Sequence, residues 1–591
     1  MLKNFTVPIP VLKGKIYKRK ARLRDGSSVT YIEFEKSRTY SRERKNTSTK
    51  RTTIGRTDPE NEGMMFPNDN YYRYIDDPVY PDQTFTSERS GCLKTGAFLV
   101  IEKIIKDYKL DEFISQSVGK RYAGLFLDLA AYGINCEDNA SQYYPDYAYS
   151  HPLFTDRMHI YSDSTISRFL KELSVDSRLR FMELWTGRQG KQDKIYVSYD
   201  STNKISQAGD IEIVEPGESK QGSQARIFNY SLVYDHDNRE PVLYEKYPGS
   251  INDVSQLESL LKKIEGYGYG NICMILDRGY FSRDNIRYMD EHGIDFIMMV
   301  KGQKPLVNGI ILEHKGEFED KIMNHIGRFD VNGMTVQKRL YESDEKERHF
   351  HLYYSPVKYA KQRSQLMGEL SKMEAALKKG IGTSAVYSDR YHRYYELYYR
   401  EQVKETTEGG VTSRIAENIL HAFAPRTEVI DTEASLCGYF SIVTTEQMSA
   451  AEALIRYKGR DPEEKLFRGD KSYLGNSSMR VYSDESMESK IFIEFVALII
   501  RNRIYLTLLD EMNRMEKKMN FMTVPAAIKE LNKIELIRLP DGVYRLDHAI
   551  TATQKTILKA FGITAGTAKQ MAEKIGKDVA KYQAESADKE S

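Results

Sequence analysis

Two aspartates in the sequence follow apolar, β-prone runs. Asp200 ends the run IYVSYD, and Asp277 ends the run ICMILD. A carboxylate at the point where a strand leaves its sheet is held rigidly and still reaches a substrate, so both are candidate metal ligands. A loop aspartate or a helix cap is the alternative for each of them. Arg278 and Gly279 follow Asp277, and there an ion pair before a tight turn is the structural alternative.

A third acid lies within a group of residues whose spacing suits one helical face. The intervals between them are three, four and seven positions, so all four would align on a continuous helix. One acid flanked by an aromatic hydroxyl and two cations suits a metal-bound phosphate whose neighbouring phosphates are held by Arg and Lys. The four residues are Tyr457, Arg460, Glu464 and Lys471.

The same stretch also has the pattern of a helix start. Asp461 would be the N-cap, Pro462 the first helical residue and Glu464 the capping-box partner. Pro462 also separates Tyr457 from Glu464, and Glu463 is a second acid that competes for the role. The spacing by itself leaves both interpretations open.

The elements that must position these acids are indicated by hydrophobic periodicity. The runs from about residue 193 to residue 300 predict an order β-β-β-α-β-α-β, which favours a mixed sheet flanked by helices. Before it, residues 96–184 carry apolar residues at helical spacing, and residues 13–58 alternate short β-prone runs with basic turns. After it, residues 301–431 have mixed character, and GYFSIVTT, QMSAAEALIRYK and KIFIEFVALIIRNRIYLTLL predict a strand and two helices.

Composition and charge limit the class of protein. The 591 residues include 40% hydrophobic and 29% charged residues, as in ordinary globular proteins. The net charge is +2, but residues 1–56 carry 16 Lys and Arg against 4 Asp and Glu, or +12, which leaves −10 for the rest. The basic arm suits phosphate contacts, and a solvated tail is its alternative. We expect a cytoplasmic chain without a membrane span, because neither a signal core nor a sufficiently long apolar run is evident.

The acids and their neighbours resemble a known family. Asp200 after one strand, Asp277-Arg278-Gly279-Tyr280 after another, and the Tyr457 to Lys471 spacing are similar to Asp-Asp-Glu transposases of bacterial insertion sequences. The Tyr-Arg-Glu-Lys spacing resembles the insertion sequence 4 family. The length, the basic N-terminal module with Thr53-Ile54-Gly55-Arg56, and the long gap before Glu464 resemble its insertion sequence 1634 branch.

The resemblance implies an α/β fold: an RNase H-like mixed-sheet catalytic core with a β-rich insertion domain, preceded by a small basic β module and a helical domain. Six segments are predicted: 1–90, the basic β-rich module and linker; 91–190, the helical DNA-binding domain; 191–302, the first part of the core; 303–432, the insertion; 433–515, the second part of the core with the catalytic Glu; and 516–591, a C-terminal helical segment and polar tail.

The resemblance also implies a site and an activity. Asp200, Asp277 and Glu464 would hold two Mg²⁺ ions, or Mn²⁺ in their place, for DNA strand cleavage and strand transfer at terminal inverted repeats. Tyr457, Arg460, Lys471 and, more weakly, Arg278 would bind the DNA. The implied partners are double-stranded transposon ends and target DNA, with a homodimer in the end complex. The implied place of action is the bacterial cytoplasm, on DNA.

Three other functions remain open at this point. One is a metal-dependent nuclease that cuts without joining, and another is a DNA-binding derivative that has lost catalysis. A glycosidase with paired carboxylates is the third, although a single Trp gives little aromatic surface for a sugar. A further open point is the tyrosine-rich run at 387–399, whose spacing places most of its rings on one helical face, either in a core or on DNA.

Overall fold

The structure is a computed structural model of the chain. It describes residues 5–22, 27–41, 46–79, 89–188, 194–206, 211–218, 224–251, 253–267, 269, 271–300, 303–408, 411–459, 466, 474, 478–539 and 542–590. Within these ranges no helix is both long enough and apolar enough to cross a membrane.

An antiparallel sheet of five strands forms the N-terminal part of the chain, in the order β1-β5-β4-β3-β2. Its elements are β1 (Val7–Pro8), β2 (Ile16–Arg22), β3 (Ser28–Ser41), β4 (Asn46–Thr57), β5 (Met64–Pro67) and helix α1 (Asp69–Tyr74). One face of the sheet buries Ile32 and Ile54 against Tyr71 of α1, which gives this part a small core of its own.

A group of helices follows the short strand β6 (Cys92–Lys94). The helices are α2 (Gly96–Asp107), α3 (Leu110–Val118), α4 (Lys120–Cys136), α5 (Tyr144–Ser150), α6 (Asp163–Glu172) and α7 (Val175–Gly187). Each presents apolar residues at three- and four-residue spacing toward a shared core, as the sequence predicts. The only tryptophan, Trp185 in α7, is buried and donates a hydrogen bond to the Pro241 carbonyl at 3.0 Å.

The central sheet has nine strands along its main path, in the order β10-β9-β7-β11-β12-β18-β15-β14-β13. The first strands and their helices are β7 (Ile195–Ser206), β8 (Glu215–Glu218), β9 (Gln224–Asp235), β10 (Glu240–Pro248), α8 (Asp253–Gly266), β11 (Ile272–Leu276), α9 (Arg283–Glu291) and β12 (Asp295–Met299). Strands β7, β9 and β10 are antiparallel neighbours, whereas β11 runs parallel to both β7 and β12. The observed order matches the predicted β-β-β-α-β-α-β pattern except for the short strand β8, which the sequence did not predict.

Residues 303–432, predicted as an insertion, contribute strands to this same sheet. Their elements are α10 (Lys304–His314), β13 (His325–Ile326), β14 (Val331–Arg339), β15 (Glu347–Tyr354), α11 (Pro356–Gly380), α12 (Asp389–Tyr394), β16 (Tyr395–Glu408), β17 (Val411–Pro425) and α13 (Thr427–Ser435). Strand β15 pairs with β18 (Tyr439–Thr444), which pairs with β12. The strands β16 and β17 form a separate two-stranded ribbon, whose base packs on α11.

The last part of the chain returns across the sheet and the helical group. Its elements are α14 (Ala450–Lys458), β19 (Ser478–Met479), α15 (Asp484–Arg514), α16 (Val524–Leu531), β20 (Glu535–Arg538), β21 (Tyr544–Leu546), α17 (Ala552–Ala560) and α18 (Ala565–Glu590). Helix α15 is buried along most of its length and packs against α4, α6 and β10. Strand β20 pairs with both β21 and β6, so the C-terminal part closes onto the helical group.

Two sequence predictions are wrong in detail. Asp200 does not end its strand, because β7 continues to Ser206 through polar residues that pair with β9 and are buried. The tyrosine-rich run does not form one helical face, because helix α12 ends at Tyr394 and Tyr395 begins strand β16. Its first tyrosines pack on α11, whereas Tyr398 and Tyr399 are exposed on the ribbon.

Candidate active site

Asp200 and Asp277 are brought side by side by the pairing of two parallel strands. In the register of β7 and β11, Leu276 lies opposite Tyr199, so the next positions of the two strands are Asp277 and Asp200. Neighbouring strands lie about 4.8 Å apart. Tyr199 and Leu276 are fully buried, whereas both aspartates are partly exposed. The pair therefore sits on a rigid base and remains accessible.

Both aspartates lie on the same face of the sheet. Alternate residues of a strand share a face, so Asp277 lies with Ile275 in β11, and Asp200 lies with Ser198 in β7. Ile275 and Ser198 are opposite each other in the register. This face is covered by α14, whose apolar residues pack on Cys273, Ile275 and Ile297. The two carboxylates therefore lie at the margin of the area that α14 covers.

Backbone groups orient each carboxylate. The Oδ1 atom of Asp277 accepts a hydrogen bond from the Arg278 N–H at 2.8 Å, and Asp277 caps the short 3₁₀ turn Arg278–Tyr280. The Oδ1 atom of Asp200 accepts from the Ser201 N–H, also at 2.8 Å. Gly279 is not required by packing, since a Cβ atom there would meet no described atom within 4 Å. The surface next to Asp277 is thus open to a ligand.

We call the predicted DNA-binding residues around Glu464 the clamp; they are Tyr457, Arg460 and Lys471. Of these, the structure describes Tyr457, which lies on helix α14. Its hydroxyl donates to Oδ1 of Asp277 at 3.4 Å, and its ring is buried in the cluster beneath α14. Ser449 begins the helix by accepting a hydrogen bond from the Glu452 N–H. The helix ends at Lys458, and the Gly459 N–H bonds to the carbonyls of the last turn.

Arg460, Glu464 and Lys471 lie outside the described residues. The structure therefore brings together Asp200, Asp277 and Tyr457, with Arg278 exposed beside them. Among the residues that it describes, no group of three or more His, Cys, Asp or Glu side chains could hold a metal ion. Two oxygen-donor carboxylates on adjacent strands fit the donor chemistry that Mg²⁺ and Mn²⁺ prefer.

Sequence reasoning gave no indication of the contacts around the C-terminal end of α14. The Arg456 guanidinium lies over the Tyr196 ring at 3.4 Å, and burial raises the pKa of Tyr196 to about 12. His236 approaches Gly459, because a Cβ atom on that glycine would lie 3.2 Å from the imidazole Nδ1. Arg456 directly precedes Tyr457, but no spacing pattern in the sequence distinguishes it from a surface arginine.

Other acids near the sheet have structural partners. At the opposite end of β7, Lys194 forms ion pairs with Asp295 and with Glu446 at 2.5 and 2.7 Å. Farther along β7, Lys204 and Glu494 of α15 form a buried ion pair at 2.9 Å. These contacts hold helices and loops against the sheet, a structural role that differs from that of the partly exposed aspartate pair.

Two comparisons with known proteins found similarity. Residues 208–500 match the family described as Transposase DDE domain, and this match supports a DDE transposase. The matched range includes Asp277 and the position of Glu464 and begins after Asp200. A cryo-EM structure of a piggyBac transposase synaptic complex with hairpin DNA is similar at a TM-score of 0.33 and 8% identity, covering 74% of this chain and 79% of that chain. No curated protein matches.

Proposed function

We propose that this chain, whose residues 208–500 match a transposase DDE domain, cuts DNA at the terminal inverted repeats of an insertion sequence and joins the ends to target DNA. The observation that carries the proposal is the juxtaposition of Asp200 and Asp277 on paired parallel strands. A carboxylate pair of this kind, open to solvent beside a covered sheet face, is suited to phosphoryl transfer.

The topology of the central sheet supports an RNase H-like core. Three antiparallel strands, β7, β9 and β10, are followed by β11 and β12, and β11 runs parallel to both β7 and β12. In the sheet, β9 and β10 lie on one side of β7, and β11 and β12 lie on the other. Asp200 would come from the first strand of this core, Asp277 from the fourth, and Glu464 from the segment after α14.

Each residue has a role in the proposed reaction. Asp200, Asp277 and Glu464 would hold two Mg²⁺ ions, which supply activation of the attacking oxygen and neutralisation of charge on the leaving oxygen. The Tyr457 hydroxyl, near Oδ1 of Asp277, would orient that carboxylate and reach the adjacent phosphate. Arg278 would bind DNA from the turn that follows β11.

The remaining members of the clamp, Arg460 and Lys471, would bind phosphates on either side of Glu464, as their spacing predicts. A homodimer would hold two transposon ends, and the protein would act on DNA in a bacterial cytoplasm. The Tyr-Arg-Glu-Lys spacing supports placing the chain in the insertion sequence 4 family and its insertion sequence 1634 branch.

Purified full-length protein tests this proposal directly. The substrate is the duplex DNA that flanks the coding sequence on both sides, incubated with Mg²⁺ and a supercoiled target plasmid. We expect free ends and joined products from the wild type and neither from Asp277→Asn. Glu446→Gln is the matched control, because it removes an acid at the opposite end of the same sheet and leaves Lys194 paired with Asp295.

The outcomes separate the alternatives. Equal activity of Asp277→Asn and the wild type would refute the assigned site. Cleavage without any joined product would identify a nuclease, and DNA binding without cleavage would identify an inactive derivative. Comparing Glu463→Gln with Glu464→Gln assigns the third acid, since only the true ligand is required for cleavage.

A further inference from the structure

A lysine of the predicted insertion lies at the same end of the sheet as the aspartate pair. Strand β15 is antiparallel to β18, and β18 is antiparallel to β12, so β15 runs in the same direction as β11 and β12. Strands β11, β12 and β15 therefore all end on the same side of the sheet. Asp277 follows β11 on this side, and helix α11, which contains Lys358 in its first turn, follows β15.

Aromatic packing fixes the position of Lys358 relative to α14. Its ammonium lies 4.2 Å from the centre of the Phe440 ring, and Phe440 stacks on Tyr353 with ring centres 4.9 Å apart. The Tyr353 hydroxyl donates to the carbonyl of Ala450 in the first turn of α14 at 2.8 Å. The same helix carries Tyr457 to Asp277, so one continuous set of contacts relates Lys358 to the site.

The electrostatic surroundings of Lys358 are positive. Burial lowers its pKa first, and the charges of Lys458 and Arg278 lower it further. Lys458 follows the tyrosine that contacts Asp277, and Arg278 follows Asp277 itself. Three cations from three separate segments of the chain thus lie near one another at this end of the sheet, an arrangement that is stabilised when an anion lies among them.

Glu319, an acid close to the same strands, does not face this cluster. Glu319 accepts a hydrogen bond from the Tyr439 hydroxyl, and its backbone neighbours hold it in the loop after α10. Tyr439 precedes Phe440 in β18, so the two side chains lie on opposite faces of the sheet. Lys358 therefore shares a face with Phe440 and α14, and Glu319 bonds to the other face.

We infer that Lys358, together with Lys458 and Arg278, binds a DNA phosphate that is adjacent to the phosphate at which the strand is cut. The Phe440 ring holds the lysine ammonium and limits its freedom before DNA arrives, which lowers the entropic cost of binding. The inference rests on the proposed function for its ligand. It adds to the predicted clamp a DNA-binding residue from outside the Tyr457 to Lys471 motif.

Salt-dependent DNA binding tests the role of Lys358 without requiring catalysis. The probe is a fluorescently labelled duplex of mixed sequence, titrated with full-length wild type, Lys358→Met, Lys358→Arg and Lys372→Met. Lys372 is exposed on the same helix and about 21 Å farther along it, so it is a matched control for loss of one charge. Thermal unfolding of each variant verifies that it is folded.

We expect Lys358→Met to weaken binding on the order of tenfold at low salt and to reduce the slope of log K against log salt by about 1. Lys358→Arg should restore most of the slope, and Lys372→Met should match the wild type. A slope for Lys358→Met equal to that of Lys372→Met, in folded protein, would overturn the inference.

The cleavage assay distinguishes this failure from failure of the proposed function. Wild-type cleavage together with an unchanged slope for Lys358→Met would remove the lysine from the site and leave the function standing. A reduced slope for Lys358→Met without any cleavage by the wild type would support the phosphate contact and refute the proposed DNA cleavage activity.

Discussion

The buried ion pair between Lys204 and Glu494 makes a stability prediction that can be developed quantitatively. The lysine side chain is fully buried, the glutamate side chain is 6% exposed, and the two charged atoms are 2.9 Å apart. Lys204→Met keeps the stem over the Tyr230 ring but leaves the carboxylate in the interior without this partner. Loss of one member of a buried pair costs about 3–5 kcal/mol.

The neighbouring Lys490 moves the expected loss of stability toward the lower end of this range. Its charge also acts on Glu494, so part of the electrostatic stabilisation survives the substitution. We therefore expect the free energy of unfolding to fall by about 3 kcal/mol. Replacing both partners, as in Lys204→Met with Glu494→Leu, should recover most of this loss because no buried charge of the pair remains unpaired.

The single tryptophan provides the assay. Trp185 stacks near Phe181, which contacts Phe492 of α15 at a ring-centre distance of 5.1 Å, so its fluorescence reports on the region around Glu494. Urea unfolding followed by this signal gives the change in stability. Lys262→Met removes an exposed ion pair and is the control, for which we expect little change. A loss below about 1 kcal/mol for Lys204→Met would refute the reasoning.

Three further substitutions test other contacts. Tyr457→Phe removes the hydroxyl near the Asp277 carboxylate but keeps the buried ring, so cleavage should fall about tenfold while the unfolding midpoint stays constant; a parallel fall in both would indicate a packing role. Burial lowers the pKa of Lys490 to about 8, against the attraction of Glu494, so below that pH its charge destabilises the fold; Lys490→Met should be more stable than the wild type at pH 7, by an amount that shrinks as the pH rises from about 8 toward 10.5. A pH-independent difference in urea unfolding would contradict this. Gly124→Ala should destabilise α4 by on the order of 1–3 kcal/mol, because its Cβ would lie 2.5 Å from a backbone oxygen. Gly133→Ala in the same helix has its nearest contact at 3.8 Å and should stabilise the protein slightly in the same unfolding assay, because alanine favours the helix over glycine.

The aspartate pair shows what the sequence could predict. The run ICMIL is apolar throughout, so a buried strand ending just before Asp277 followed directly from its pattern. The end of strand β7 was harder to predict, because the residues after Asp200 are mostly polar and have the composition of a loop. They are buried because of partners far along the chain, such as Glu494 for Lys204, and these cannot be recognised from local periodicity.

The prediction that the tyrosine-rich run at 387–399 forms one helical face was wrong for a different reason. Its spacing satisfies a helical period, and the first tyrosines do pack beside helix α11. Tyrosine is also a favoured strand residue, and pairing with β17 from Tyr395 onward decides the conformation. The proximity of Lys358 to Arg278 could not be predicted from the sequence either, since it depends on the order of strands in the sheet.

The ribbon of β16 and β17 has a consequence for the behaviour of the protein at high concentration. In the described part of the chain its two strands pair only with each other, so each has an outer edge with backbone groups available to an approaching chain. Such edges promote self-association unless charges oppose it. Arg400 and Glu401 are exposed on β16. Edge-to-edge pairing would remove these charges from water, which makes it unfavourable. The two residues therefore oppose aggregation of a ribbon that also has exposed aromatic rings.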